Sequence, residues 1–432
     1  MRKFTFLVVL ALLLALTLPL YAQDATPEAT PAAEGEGTEM MGSSLIAVSD
    51  QLSLDGTVVV QSATSAGPGW LAIHVDLGGT PGPTVGIAPL ADGVNENVIV
   101  AIDVLGATPA LLAVLHTDDG QPGAYEFEMR QMADPMQMGE DGQPVLAPFR
   151  LTAVRVFDQQ VGGSAIIGSV ISEVGGFIVI HADDGGNPGP VLGYAPLMMG
   201  TNPAVIVPLV EGEITPVLHA MIHVDDNTPN VYEFGEVEGA DAPLVVNDTV
   251  ANATFNTSET VVILTAAGVS LEAPENVFPS ITASGEMLEG VGVAPEELAE
   301  APVMTLASVI SVGQGWIDVH ADAGGHPGAS LGVAPVNDGE NTGVQVPLDQ
   351  SMTAMPMPIP PLVWPMLHID DNQPGVYEWL VIPGADAPVV VNGAVVTIPT
   401  AIGDPSMMGG GMGEMTEEAP TGEATAEATP GG

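Results

Sequence analysis

The sequence predicts an all-β protein: three tandem β-sandwich repeats of immunoglobulin-like type between disordered acidic ends. Three observations carry this prediction. The apolar runs are short, β-branched and bounded by Gly, Pro, Asn and Asp, as in TVVVQSAT from Thr57, AIIGSVIS from Ala165 and VVVNGAVV from Val389. No capped segment of helical period follows the first 22 residues, and two sequence blocks each occur three times. A chain of 432 residues with 46% hydrophobic content has material for about three domains of the usual ~100–200 residues.

Residues 1–22 (MRKFTFLVVLALLLALTLPLYA) read as a signal peptide, with basic Arg2 and Lys3, an apolar run from Phe4 to Leu18, and small Ala22 at the cleavage point. The run is short of the ~20 residues that span a bilayer. Cleavage before Gln23 is therefore expected, leaving a chain without a membrane span that is secreted or loosely attached to the cell surface. No lipobox cysteine and no hydrophobic C-terminal tail suggests a covalent anchor. Residues 23–43 and 403–432 are Ala/Thr/Pro/Glu/Gly tracts with little to bury, expected as a disordered stalk and a disordered acidic tail.

Between these ends the chain repeats. GWLAIHVDLGGTPGPTVGIAP from Gly69 returns as GFIVIHADDGGNPGPVLGYAP from Gly176 and GWIDVHADAGGHPGASLGVAP from Gly315. A second block follows each time: LHTDDGQPGAYEF from Leu115, IHVDDNTPNVYEF from Ile222 and LHIDDNQPGVYEW from Leu367. His74 to His181 and His116 to His223 are both 107 residues apart, so the first two repeats align here without net insertion. From the second repeat to the third the blocks shift by 139 and 145 residues, and the Pro/Met loop SMTAMPMPIPPLVWP accounts for the difference. GADAPLVVN from Gly239 returns as GADAPVVVN from Gly384 and marks the end of a unit. In repeat one the matching stretch is swollen by MRQMADPMQMGEDG. A period of about a hundred residues lies well above the ~20–50 of solenoids, so each copy is expected to own a core. The expected units are residues 46–150, 151–256 and 302–400, with 257–301 a linker or irregular insertion. Trp70, Phe177 and Trp316 are expected to be buried at equivalent positions, with Ile73, Ile180 and Val319 on the opposite strand face, which makes that strand central.

This order of blocks, a strand ending in IHxD, a PGP turn, LGxAP and a second LHxDD hairpin ending in YEF, resembles an uncharacterised tandem β-sandwich repeat domain of exported archaeal and bacterial surface proteins. The resemblance covers about residues 46–400 and implies no activity, since that family has none assigned. An Asp-Gln pair associated with the start of such domains stands at Asp50-Gln51 and Asp158-Gln159, and not ahead of repeat three.

The chemistry-bearing motifs are six His-x-Asp units: His74/Asp76, His116/Asp118, His181/Asp183, His223/Asp225, His320/Asp322 and His368/Asp370. In an extended strand, residues two apart share a face, so each pair offers an imidazole nitrogen and a carboxylate oxygen side by side. That donor set suits zinc, copper or nickel. The competing reading is structural: every motif runs into a Gly/Pro/Asn turn, where Asp caps backbone N–H groups and His donates to a carbonyl. The two histidines of each repeat are expected to converge to within about 10 Å if their strands are neighbours. The Asp-Asp loops, such as Asp118-Asp119 and Asp370-Asp371, offer oxygen ligands for calcium, without EF-hand spacing. Clustered methionines (Met129, Met132, Met136, Met138; Met352, Met355, Met357; Met407, Met408, Met412, Met415) are candidates for Cu(I) or simply tolerant loop residues.

Composition excludes more than it assigns. The chain has no cysteine, and 54 Asp+Glu face 5 Lys+Arg, two of which lie in the signal peptide. Disulfides, thiolate metal sites, thiol nucleophiles, lysine Schiff bases and P-loops are excluded, and a net charge of −49 repels nucleic acid. No GxSxG, HExxH or SxxK motif occurs. The expectation is a non-enzymatic secreted or cell-surface spacer or adhesion protein with an extracellular or cell-envelope partner and no obligatory cofactor; the alternative is extracellular binding of calcium, copper or zinc.

Overall fold

The computed structural model describes residues 45–127, 130, 133–210, 214–352 and 356–404. The expected signal peptide, the stalk and the tail beyond residue 404 lie outside the described residues, as do Met129, Met132, Met355 and the last methionine cluster. Among the described residues the regular structure is β, apart from one 3-10 turn at Pro295–Glu297. None of the described helices is long and apolar enough to cross a membrane.

Repeat one contains β1 (Thr57–Ser65), β2 (Gly69–Asp76), β3 (Pro81–Leu90), β4 (Gly93–Ala101), β5 (Ala110–Thr117) and β6 (Leu146–Arg155). One sheet pairs β1 with β4 and with the short strand Ile46–Ala47; the other runs β3-β2-β5-β6, antiparallel throughout. Their facing sides enclose Val58, Val60, Leu71, Ile73, Leu111 and Leu115, all fully buried. At ~1.5–3 kcal/mol for each large aliphatic side chain removed from water, such a layer is what holds a sandwich closed.

The same plan recurs. Repeat two has β7 (Ser164–Ser172), β8 (Gly176–Asp183), β9 (Pro188–Leu197), β10 (Gly200–Pro208), β11 (Val217–Val224) and β12 (Asn252–Ser258). Repeat three has β13 (Val303–Ser311), β14 (Gly315–Asp322), β15 (Pro327–Val336), β16 (Gly339–Pro347) and β17 (Leu362–Ile369), closed by Thr400–Ala401. The three tandem sandwiches are therefore all-β units with separate cores, as the repeated blocks predict.

The joints between units come from the same strands. The C-terminal end of β6 pairs with β7 (Ala153 opposite Ile171, Arg155 opposite Ser169), in the place that Ile46–Ala47 takes beside β1. One strand thus ends repeat one and begins repeat two, and the expected boundary at 150/151 falls inside it. The Asp-Gln pairs seal these starts. Gln159 bonds both the N–H and the carbonyl of Ile166, while Asp158 accepts from the Asn256 N–H. In repeat three the corresponding first strand is Ser280–Ala283, paired with β13, and it lies inside the stretch expected as a linker. Another part of that stretch, Ile263–Thr265, pairs with Val389–Val391, and Asn392 exchanges hydrogen bonds with the Gln160 backbone of repeat two. Phe157, Leu264 and Val390 form a small apolar cluster at this joint.

Candidate functional site

The site begins with alternation along β2. Leu71, Ile73 and Val75 face the sandwich core, so Trp70, Ala72 and His74 face outward, where the loop after β5 folds back and covers them with Tyr125 and Phe127. Both faces are buried, and Trp70, Phe177 and Trp316 are only 2%, 3% and 8% exposed. Each ring packs on the tyrosine of the YEF or YEW motif: Tyr125, Tyr232 and Tyr377, with centroids 5.9, 5.3 and 5.6 Å apart.

Under this cover the two histidines of each repeat meet. Strands β2 and β5 are direct neighbours, and the Nε2 atoms of His74 and His116 stand 3.3 Å apart; those of His181 and His223 stand 3.4 Å apart. Every Nδ1 donates to a backbone carbonyl: His74 to Gly82, His116 to Asp134, His181 to Gly189, His223 to Asp241, His320 to Gly328 and His368 to Asp386, all at 2.7–2.9 Å. A carbonyl only accepts, so each Nδ1 carries the proton and each Nε2 presents a bare lone pair. Burial disfavours the charged ring at His181 and at four others, holding His74 down at about 4, His116 at about 3, and His223 and His368 at about 4.

The aspartates of the motifs do not join the rings. Register shifts between β2 and β3 on either side of His74 turn Asp76 away, and the same bulge recurs at His181 and His320. Asp76 accepts the Gly79 N–H, Asp183 the Gly186 N–H, and Asp322 the Gly325 N–H and the Trp364 Nε1–H. Asp183 also accepts from His219, which holds its carboxyl below the usual range. Past the ends of β5, β11 and β17, Asp118, Asp225 and Asp370 cap the N–H groups of Gly123, Asn230 and Gly375. These are Asx-type turn closures.

Three further aspartates, missed from the sequence, organise the covering loop. Asp134 accepts the N–H groups of Asp119 and Glu126 while its own carbonyl receives His116; Asp241 and Asp386 do the same for their repeats. All three adopt left-handed backbone angles (φ 43, 49 and 49°). The signal was available: Ala-Asp-Pro at 133–135 inside the swollen stretch of repeat one matches the Ala-Asp-Ala-Pro of the later repeats.

A family model described as "Domain of unknown function (DUF7282)" matches three times in tandem, over residues 44–152, 152–258 and 292–402. The chain belongs to the DUF7282 family. No curated protein matches it significantly.

On the histidine face the third DUF7282 repeat carries a charge that the other two lack. Where β2 has Ala72 and β8 has Val179, β14 carries Asp318, fully buried on the histidine face. Its carboxylate accepts from Ser330 Oγ at 2.6 Å and Tyr377 OH at 2.7 Å, and its Oδ2 lies 3.5 Å from His320 Nε2. The His320 and His368 rings are spread further, 5.9 Å between centroids against 5.4 and 5.5 Å, and neither Nε2 has a hydrogen-bond partner. Asp318 was visible in the repeated blocks as a second charge within GWIDVHAD, at a position where the other copies are apolar.

Proposed function

We propose that this chain is a non-enzymatic, secreted or cell-surface protein whose repeats act together as a structural spacer or adhesion module for an extracellular or cell-envelope partner. The observation that carries this reading is the jointing: β6 serves two repeats, and the Val389–Val391 segment of repeat three is tied to repeat two through Asn392 and Gln160. Repeats one and two are held by sheet pairing, and repeats two and three by the Asn392 hydrogen bonds, which suits a part that sets distance and presents surface. The neutral, backbone-bonded histidines of repeats one and two support it too, because their Nδ1–H groups are spent on backbone carbonyls, those of His74 and His181 on Gly82 and Gly189 and those of His116 and His223 on the covering loop. The test is fractionation of producing cells with N-terminal sequencing. A chain starting at Gln23 in the medium or on the envelope is expected; a chain retaining Met1 in the cytoplasm overturns the reading.

A second reading, metal binding outside the cell, is favoured by one observation: the buried Asp318, His320 and His368 group.

A further inference from the structure

We propose that Asp318, His320 and His368 form a site for one divalent ion of the zinc class, with a coordination position open to the cavity between repeats one and three. This rests on the second reading above. The argument is an inventory of protons. The Nδ1–H groups of His320 and His368 are committed to the carbonyls of Gly328 and Asp386, so both Nε2 atoms are acceptors, and both are buried without a partner. Asp318 brings a carboxylate, also an acceptor, into the same space. The ligand atoms of the three residues lie within 4.8 Å of one another, and all three residues are buried.

Three acceptors and no cation make an unfavourable interior, since an isolated buried charge is among the costliest things a fold can hold. No lysine or arginine comes to the rescue. After the leader the chain has only Arg130, Arg150 and Arg155; they pair with Glu126, Glu173 and the Ala266 carbonyl respectively. Tyr377 and Ser330 satisfy part of the Asp318 carboxylate, as outer groups orient a metal-binding carboxylate.

Geometry selects the ion. Ligands about 2.1 Å from a tetrahedral zinc stand about 3.4 Å from one another, and the His320–Asp318 separation is 3.5 Å. Two imidazoles and one carboxylate suit zinc, copper or ferrous iron, whereas calcium and magnesium want all-oxygen shells. Repeats one and two are internal controls. Their Nε2 atoms stand 3.3 and 3.4 Å apart, close to the tetrahedral spacing, but these repeats bring only two donors. They also have Ala72 and Val179 where the third ligand would be. The cavity beside the site measures about 440 Å³ and is lined by Asp318, His320, His326, Tyr377 and Trp379, together with Asp103 of repeat one. Water or a small ligand therefore has access to the fourth position.

The experiment is calorimetric titration of the chelator-treated mature chain with zinc chloride, in salt and excess magnesium to occupy the acidic surface. One equivalent per chain is expected. Asp318→Val, which installs the residue repeat two uses there, and Asp318→Asn, which keeps the shape, are each expected to weaken uptake by roughly tenfold or more. Circular dichroism of both variants reports folding separately. Cobalt in place of zinc is expected to show visible ligand-field bands that shift when azide is added through the cavity. Uptake untouched by both substitutions, or one equivalent for every repeat, overturns this site while leaving metal binding by the chain in place; no uptake at all overturns both.

Discussion

His74 and His116, 42 residues apart in the chain, point their Nε2 atoms at each other across 3.3 Å. Each ring has already given its single proton to a carbonyl. A third proton between them would complete the bridge and create a buried cation, which is the state burial disfavours. The contact is therefore held from outside, by β2 and β5 beneath and by the Tyr125–Phe127 loop above.

Acid is expected to weaken repeat one through this pair. The folded values, about 4 and about 3, lie below the ordinary value of 6.5, so below that pH the unfolded chain binds more protons than the folded one. Stability then falls as pH drops from 6.5 toward 4, by on the order of 2–3 kcal/mol per ring. Asp134, raised by burial, acts in the opposite sense at the acid end. Urea midpoints measured across this range, compared with those of the His74→Gln, His116→Gln double variant, isolate the histidine part; an unchanged slope in the double variant would refute it.

Asp241→Ala removes the acceptor for two backbone N–H groups, Asp226 and Glu233, beside the carbonyl that receives His223. A loss of about 3 kcal/mol is expected from charge-assisted bonds left unmade. Denaturant unfolding measures it, and a loss below about 0.5 kcal/mol, the range of ordinary surface changes, would show that the loop holds without this residue.

Much of this was legible in the chain. Trp70, Phe177 and Trp316 could be placed in buried central strands because alternation with Ile73, Ile180 and Val319 leaves both faces apolar. The meeting of the histidines followed from equal spacing and neighbouring strands. The fate of the motif aspartates was not legible, since period two puts Asp76 beside His74 and only the bulge separates them. The double use of β6 was hidden for a different reason: a strand shared by two units carries the same β-branched signature as a strand belonging to one. Asp318 stands two places before its histidine, outside the His-x-Asp motif, so the motif does not point to it.

Gly69→Ala is expected to cost about 2–3 kcal/mol. A Cβ there would overlap the His116 carbonyl oxygen, and the same close approach recurs at Gly176 with His223 and Gly315 with His368. Gly162→Ala, where a Cβ meets open space, is the matched control and is expected within about 0.5 kcal/mol of the parent. Equal stability of the two variants would refute the steric account.

The three repeats are expected to unfold together. All four tryptophans (Trp70, Trp316, Trp364 and Trp379) lie in repeats one and three, whereas far-ultraviolet circular dichroism reads every strand. Coincident midpoints from the two signals are the expected result. Separate transitions would mean that the joints through β6 and Asn392 do not couple the units.

A strand that belongs to two sandwiches also determines how the chain answers tension. Between repeats one and two no residue is left over to act as a slack tether, because Leu146–Arg155 is hydrogen-bonded to β5 at one end and to β7 at the other. A pull that parts these repeats has to tear a sheet, and the load falls on many bonds at once. Between repeats two and three, the 44 residues from Glu259 to Pro302 carry only short pairings, and some of these are to distant parts of the chain. Under load that stretch would pay out first, leaving the front pair intact.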